Sequence, residues 1–349
     1  MTSIDEKYMR RCLELAAMGR NHVSPNPMVG AVVVHDGMII GEGYHYKYGG
    51  PHAEVNAIKA VTNKELLTQA TVYVSLEPCS HFGKTPPCAN LLASFPVKRV
   101  VVGATDSNAK VAGKGIDILR KAGIEVTVGV LEEQCRDLNR SFFTMHEKRR
   151  PYIILKWAQS LDGFLDIYRP KDAPREPHWI TNKLSRRLVH KWRAEEPSIM
   201  IGTNTALKDN PRLDVRDWDG NNPIRIVLDR IGRLPSDLHF FDQSTHTVVF
   251  TECERPNKHN LTYVKVNEDI NVLDKSLSYL FEQGISSLLV EGGNELLNSF
   301  IKRDLWDESR VFVGNTLFFE GVKAPIIHAY PAMEEWLEDT RLLVYKRNV

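Results

Sequence analysis

The amino-acid sequence predicts an α/β protein built as two domains. Three observations lead there. Short runs rich in Val and Ile alternate with stretches of helical apolar spacing, the pattern of a layered α/β structure. The chain has 349 residues, more than one ordinary hydrophobic core organises. The alternation breaks around residues 141–151, where the charged run His146-Glu147-Lys148-Arg149-Arg150 ends in Pro151 and reads as a linker. The domains are therefore expected at 1–147 and 148–349.

The elements follow in order. Residues 5–20 place Met9, Cys12, Leu13, Ala16 and Ala17 at helical spacing. Two apolar runs then flank His35-Asp36-Gly37, and Asp-Gly is a strong hairpin signal. Residues 53–61 read as a helix, and the β-branched, alternating run 71–76 reads as a strand. Pro86 and Pro87 suit the opening of a helix that runs through Leu91 and Leu92. Residues 99–105 form another strand, and 115–130 read as helix, glycine turn and strand. Beyond the linker, strands are predicted in 151–163, 223–229, 246–251, 286–293 and 309–315, with helices near 182–194 and 294–302. There is no internal repeat and no low-complexity segment.

Charge and cysteine usage narrow the functional classes. Lys and Arg number 45 against 44 Asp and Glu, a formal net charge of +1, so no basic field exists to hold nucleic acid. A few local arginines still suffice for a small anion. No apolar run approaches the roughly 18 residues that suggest a membrane span. The opening segment carries Asp5, Glu6 and Glu14, which suits neither a signal peptide nor a transit peptide. Five cysteines (Cys12, Cys79, Cys88, Cys135 and Cys253) are few and odd in number, which points to a reducing cytoplasm rather than a disulfide framework.

The chemistry-bearing pattern is Pro51-His52-Ala53-Glu54, then Glu77-Pro78-Cys79, then Cys88. Zinc favours nitrogen and thiolate sulfur, and a catalytic site keeps three protein ligands with room for water. His52, Cys79 and Cys88 meet that count. Glu54, two residues from His52, is placed to move protons between that water and a leaving amine. Each residue alone has a plainer reading, as a satisfied histidine or a small buried hydrophobe. Together, at helix starts and a strand end, they match the zinc-deaminase signature, with one departure. The usual two-residue spacer between cysteines is here Ser80-His81-Phe82-Gly83-Lys84-Thr85-Pro86-Pro87. His81 and Lys84 are candidates to line the site, and Asn26, between two prolines, is a candidate to hydrogen-bond a pyrimidine. Gly113-Lys114-Gly115 is a candidate phosphate cradle.

That long spacer, with residues 24–34, 51–58 and 106–126, closely resembles the bifunctional riboflavin biosynthesis deaminase/reductase family. The resemblance continues through the C-terminal half at 160–163, 179–181 and 202–216. It implies two three-layer α/β domains, the first cytidine-deaminase-like and the second dihydrofolate-reductase-like. It also implies a zinc site of His52, Cys79 and Cys88 with Glu54 as proton shuttle. The implied chemistry is zinc-hydroxide deamination of 2,5-diamino-6-(5-phosphoribosylamino)pyrimidin-4-one. NADPH-dependent reduction of the product's ribose to a ribityl chain would follow. Arg193, Leu213, Arg216 and Glu291 would contact substrate. Gln159, Trp179, Thr205, Asp209, Gly293, Asn294 and Glu295 would face NADPH. The strand–glycine turn–helix of 287–300 suits a pyrophosphate without being a Rossmann fingerprint. Within 164–178 the chain departs from the family, with Pro177 where a substrate-contacting Ser is usual.

The expected enzyme is cytoplasmic, takes a small phosphoribosyl pyrimidine and no nucleic acid or membrane, and is a candidate homo-oligomer. Two other readings stand beside it. One is a deaminase of another base or nucleoside carrying a non-catalytic or differently specific folate-reductase-like module. The other is a metal-stabilised binding protein, which a shuttle such as Glu54 disfavours.

Overall fold

A computed structural model describes residues 3–80, 86–107, 112–170, 173–267 and 271–347. His81 and Lys84 lie outside them. The chain divides into two compact units, Met1–Arg149 and Arg150–Val349.

The first unit runs α1 (Ile4–Ala17), β1 (Gly30–His35), β2 (Met38–Tyr44), α2 (Ala53–Ala60), β3 (Thr71–Leu76), α3 (Cys88–Ala93), β4 (Arg99–Ala104), α4 (Lys114–Lys121), β5 (Glu125–Val128), α5 (Glu132–Leu138) and α6 (Arg140–Lys148). Its sheet has the order β2-β1-β3-β4-β5, with β1 antiparallel to both neighbours and β3, β4 and β5 parallel. The strands are apolar on both faces, so the period of two sorts their side chains into two cores. Ala31, Val33, Val72, Val74, Val100 and Val102 pack with Ala57, Ile58, Leu92 and Leu119 from α2, α3 and α4. Val32, Val34, Tyr73 and Val101 pack with Met9, Cys12 and Cys135 from α1 and α5. The result is a three-layer α/β/α sandwich.

Helix α6 differs from the sequence expectation. The charged residues 146–150 read as linker, yet the helix runs to Lys148 because Phe142 and Phe143 bury its start. Arg149 ends it at a φ of +54°.

The second unit runs β6 (Tyr152–Gln159), β7 (Phe164–Asp166), α7 (Lys183–Glu195), β8 (Ser198–Gly202), α8 (Thr203–Asp209), β9 (Ile224–Leu228), β10 (Thr247–Thr251), β11 (Leu261–Lys265), α9 (Val272–Glu282), β12 (Ser287–Val290), α10 (Asn294–Lys302), β13 (Glu308–Val313), β14 (Val322–Lys323), β15 (Met333–Leu337) and β16 (Thr340–Lys346). Nine strands form one sheet in the order β11-β10-β9-β8-β12-β6-β13-β16-β15. Strands from β11 to β13 are parallel, and β13-β16-β15 closes one edge antiparallel. Helices α9 and α10 cover one face through Leu273, Leu277, Leu297 and Phe300. Helices α7 and α8 cover the other through Val189, Trp192 and Ala206. No helix among the described residues is long and apolar enough to cross a membrane.

Candidate functional site

In the first unit, three element ends meet. His52 is the N-cap residue of α2, Cys79 follows β3, and Cys88 opens α3. Two glycines on β2 let α2 approach: a Cβ on Gly43 would lie 2.4 Å from the Ala57 nitrogen, and one on Gly41 2.5 Å from the Ala57 oxygen. The His52 Nδ1 atom sits 3.5 Å from Cys79 Sγ and 3.3 Å from Cys88 Sγ. All three ligand atoms lie within 4.8 Å of one another. A tetrahedral zinc with nitrogen at ~2.0 Å and sulfur at ~2.3 Å calls for N···S separations of about 3.5 Å, so the set fits that ion.

Close packing shifts the titratable groups of this cluster strongly. The Cys79 thiol is held low, first by a hydrogen bond with Cys88 and then, against burial, by His52. The Cys88 thiol is raised by the same pairing and by burial. Glu54 is buried in the first turn of α2. Burial pushes its carboxyl up to about 7, and the neighbouring Cys79 charge adds to the shift. Asn26 reaches this site through His45. The Asn26 amide nitrogen lies 3.2 Å from His45 Nε2, and His45 Nδ1 lies 3.0 Å from the Pro51 carbonyl. The His45 ring stands edge-on to His52 at 5.4 Å. The pattern assigns His45 a neutral ring that donates from Nδ1 and accepts at Nε2.

The Gly113-Lys114-Gly115 cradle does not present its backbone to a phosphate. The Gly113 and Gly115 N–H groups donate to the Glu77 carboxylate, at 3.0 and 2.9 Å.

The second unit holds a cleft of ≈ 1540 Å³. Arg193, Leu213, Arg216 and Glu291 line it, as do Trp179, Thr205, Asp209, Gly293, Asn294 and Glu295. Gln159 is not among its lining residues, and its side-chain oxygen accepts from Trp157 Nε1 at 2.9 Å. Arg193 and Glu291 grip each other bidentately, at 2.8 and 2.9 Å. Lys156 Nζ joins them 3.4 Å from Glu291, and burial lowers its pKa. Arg216 is half-exposed beside Asp214. Trp179 is exposed, with the Arg186 guanidinium 4.4 Å above its ring. The Gly293 N–H donates to Thr205 Oγ1 at 2.9 Å, while no side chain caps α10. Asn204 donates to Glu295 at 3.1 Å. Asp209 pairs with Arg169 at 3.0 Å, and Arg169 comes from the departing segment, where it also pairs with Asp166 at 2.8 Å.

Comparisons with known proteins match this layout. Residues 2–104 match the cytidine and deoxycytidylate deaminase zinc-binding region, and residues 151–326 match the RibD C-terminal domain. The riboflavin biosynthesis protein RibD of Aquifex aeolicus is 42% identical over 91% of this chain and 89% of its own length. The chain belongs to the RibD family. RibD of Escherichia coli is 36% identical over 95% of this chain and 92% of its own. Among solved structures, Acinetobacter baumannii RibD superposes with a TM-score of 0.86 at 34% identity, covering 98% of both chains. The diaminohydroxyphosphoribosylaminopyrimidine deaminase/5-amino-6-(5-phosphoribosylamino)uracil reductase of Thermotoga maritima does so with 0.86 at 37%, again covering 98% of both. This RibD-family chain is thus a bifunctional enzyme of riboflavin biosynthesis, a hydrolytic deaminase and a reductase, with zinc and NADPH as cofactors.

Sequence reasoning overlooked His45, Lys156 and Arg169, and gave Glu77 no role beyond its place in the Glu77-Pro78-Cys79 motif. Lys156 carried a signal: a lone cation in the apolar run of β6 is costly to bury without a partner. Arg169 carried little: Asp166 lies three residues before it, but Asp209 is its neighbour only in space.

Proposed function

We propose that the first unit deaminates 2,5-diamino-6-(5-phosphoribosylamino)pyrimidin-4-one and that the second reduces the ribose of the product to a ribityl chain. The observation that carries the reading is the convergence of His52, Cys79 and Cys88 beside the buried Glu54. These three side chains hold the zinc, and three is the ligand count of a catalytic site rather than a closed structural one. Zinc, when bound, lowers the pKa of its water toward neutrality. Glu54 would carry both protons of the attacking water, the first to the ring nitrogen and the second to the leaving amine, so that water and the amino-substituted ring carbon give a carbonyl and ammonia. Asn26 binds the pyrimidine and is aimed by His45.

In the second unit Arg216 receives the substrate phosphate and Leu213 forms an apolar wall. Lys156, set by Glu291 and Arg193, holds the proton that goes to the sugar oxygen as its ring opens. NADPH, when bound, would supply the hydride for the adjoining carbon. Trp179, Thr205, Asp209, Gly293, Asn294 and Glu295 face that cofactor. Gln159, which lies outside the cleft lining, has no part in this assignment.

The two activities are read as residing in 1–147 and 148–349. The compact division between Arg149 and Arg150 supports this. The net charge of +1 supports a small substrate rather than nucleic acid, and free Cys12, Cys79, Cys88, Cys135 and Cys253 support a cytoplasmic setting. Exposed Phe319, Tyr330 and Trp336 on the second unit support a homo-oligomer.

Glu54→Gln tests the deaminase assignment. Zinc content stays at the wild-type level while ammonia release falls by about 100-fold or more, the usual scale of a lost general acid–base. Ammonia release at the wild-type rate contradicts the assignment.

A further inference from the structure

Glu77 is buried, lies two residues before Cys79 and takes no part in the ligand set. Among the described residues its carboxylate accepts from four backbone N–H groups. Oε2 accepts from Asp106 at 3.2 Å and Gly113 at 3.0 Å. Oε1 accepts from Gly115 at 2.9 Å and Ile116 at 3.4 Å. Its own N–H donates to the Ala104 carbonyl at 2.9 Å. One side chain therefore ties the end of β3 to the segment after β4 and to the first turn of α4. Gly113, the N-cap residue of α4, has no capping side chain, so Glu77 satisfies that helix end from across the fold.

The opposite side of the turn is equally constrained. A Cβ on Gly115 would lie 2.0 Å from the Pro78 oxygen, so α4 packs directly on the residue between Glu77 and Cys79. Cys79 then hands the constraint to α3. Its carbonyl accepts from the Ala89 N–H at 3.1 Å, and its sulfur accepts from the Cys88 N–H at 3.3 Å. A glutamine in place of Glu77 would keep the shape and lose the fit. Its amide NH2 would face two of the N–H donors and leave them without an acceptor.

We propose that Glu77 is a positioning residue of the deaminase site: its carboxylate locks the Pro78–Cys79 turn between β3 and α4 and so sets where the Cys79 sulfur meets His52 and Cys88. The inference rests on the reading of those three residues as zinc ligands. Ligand placement by a supporting hydrogen-bond shell is commonly worth about 10–100-fold in metal affinity.

The test measures zinc affinity of the full-length protein by competition with a chromophoric chelator, together with the visible spectrum of the cobalt-substituted protein. Reductase turnover on the deaminated substrate reports a sound second unit. Glu77→Gln should weaken zinc by about tenfold or more and shift the cobalt bands, with reductase turnover unchanged. Gly115→Ala, which pushes on the Pro78 carbonyl at 2.0 Å and crowds Glu77 Oε1 at 3.2 Å while keeping the carboxylate's charge, should shift the cobalt bands as well. If Glu77 only stabilised the fold, Glu77→Gln would melt earlier yet bind zinc with wild-type affinity and an unaltered cobalt spectrum, and the proposal would be overturned. Cys79→Ser separates the two claims. Zinc retained at wild-type affinity in Cys79→Ser sinks the ligand reading. Zinc lost there but held normally by Glu77→Gln sinks only the role of Glu77.

Discussion

Glu54 is buried and Glu291 nearly so, and their surroundings drive the two carboxyl groups in opposite directions. Burial, reinforced by the Cys79 charge, pushes Glu54 up to about 7, so it can hold and release a proton. Burial also opposes ionisation of Glu291, but the charges of Arg193 and Lys156 outweigh it and bring that carboxyl down to about 2. A carboxyl lowered by folding contributes stability above its unfolded pKa of roughly 4.3, and the contribution fades as pH falls toward the folded value. Glu291→Gln should therefore unfold at lower urea than wild type at pH 7, with the gap closing between pH ~4.3 and ~2 as the wild-type carboxyl is protonated. A gap that stays constant across that interval would mean that the Arg193–Glu291–Lys156 contacts do not stabilise the ionised form. At this scale the sequence was most readable where the chemistry is dense. His52, Glu54, Cys79 and Cys88 occur in a recognisable order and come together at 4.8 Å or less for the three ligand atoms. The roles of Glu77 and His45 were not readable. Their partners are backbone groups, such as those of Gly115 and Pro51, and a sequence does not display which backbone groups will be left to satisfy.

Elements carry these side chains to their places. Helix α2 must lie close on β2 for His52 to reach the two cysteines, and Gly41 and Gly43 supply the room. Gly43→Ala would force a Cβ to 2.4 Å from the Ala57 nitrogen. The resulting overpacking should cost about 1–3 kcal/mol, read by chemical denaturation, and should lower zinc affinity together with stability. Wild-type stability in this variant would show that α2 has slack, and its role in placing His52 would have to be abandoned. Strands such as β3 and β4 were legible because their β-branched residues fill two cores. The last hairpin was not, because β15 is an edge strand with Met333, Glu334, Glu335 and Trp336 exposed and shows no inward pattern. Likewise α6 hid behind its charged end, while the anchor that makes it a helix is Phe142 and Phe143. The phosphate cradle at Gly113–Gly115 failed for a related reason: α4 does begin there, but Glu77 already occupies its first N–H groups.

On the scale of the whole molecule, the proposed function places two different chemistries in two compact units, with the product of the first as the substrate of the second. The zinc-ligand candidates belong to Met1–Arg149, and the cleft residues named above belong to Arg150–Val349. Each activity should then be removable without chemical damage to the other. The measurement that tests this account most directly follows ammonia release and NADPH oxidation together in the purified, zinc-loaded protein, in wild type and in Cys79→Ser. With the diaminopyrimidine substrate, the wild type should release ammonia first and oxidise NADPH in step with it. Cys79→Ser should do neither, yet oxidise NADPH at the wild-type rate once the deaminated product is supplied. Ammonia release by Cys79→Ser at the wild-type rate, or NADPH oxidation that does not depend on prior deamination, would contradict the account.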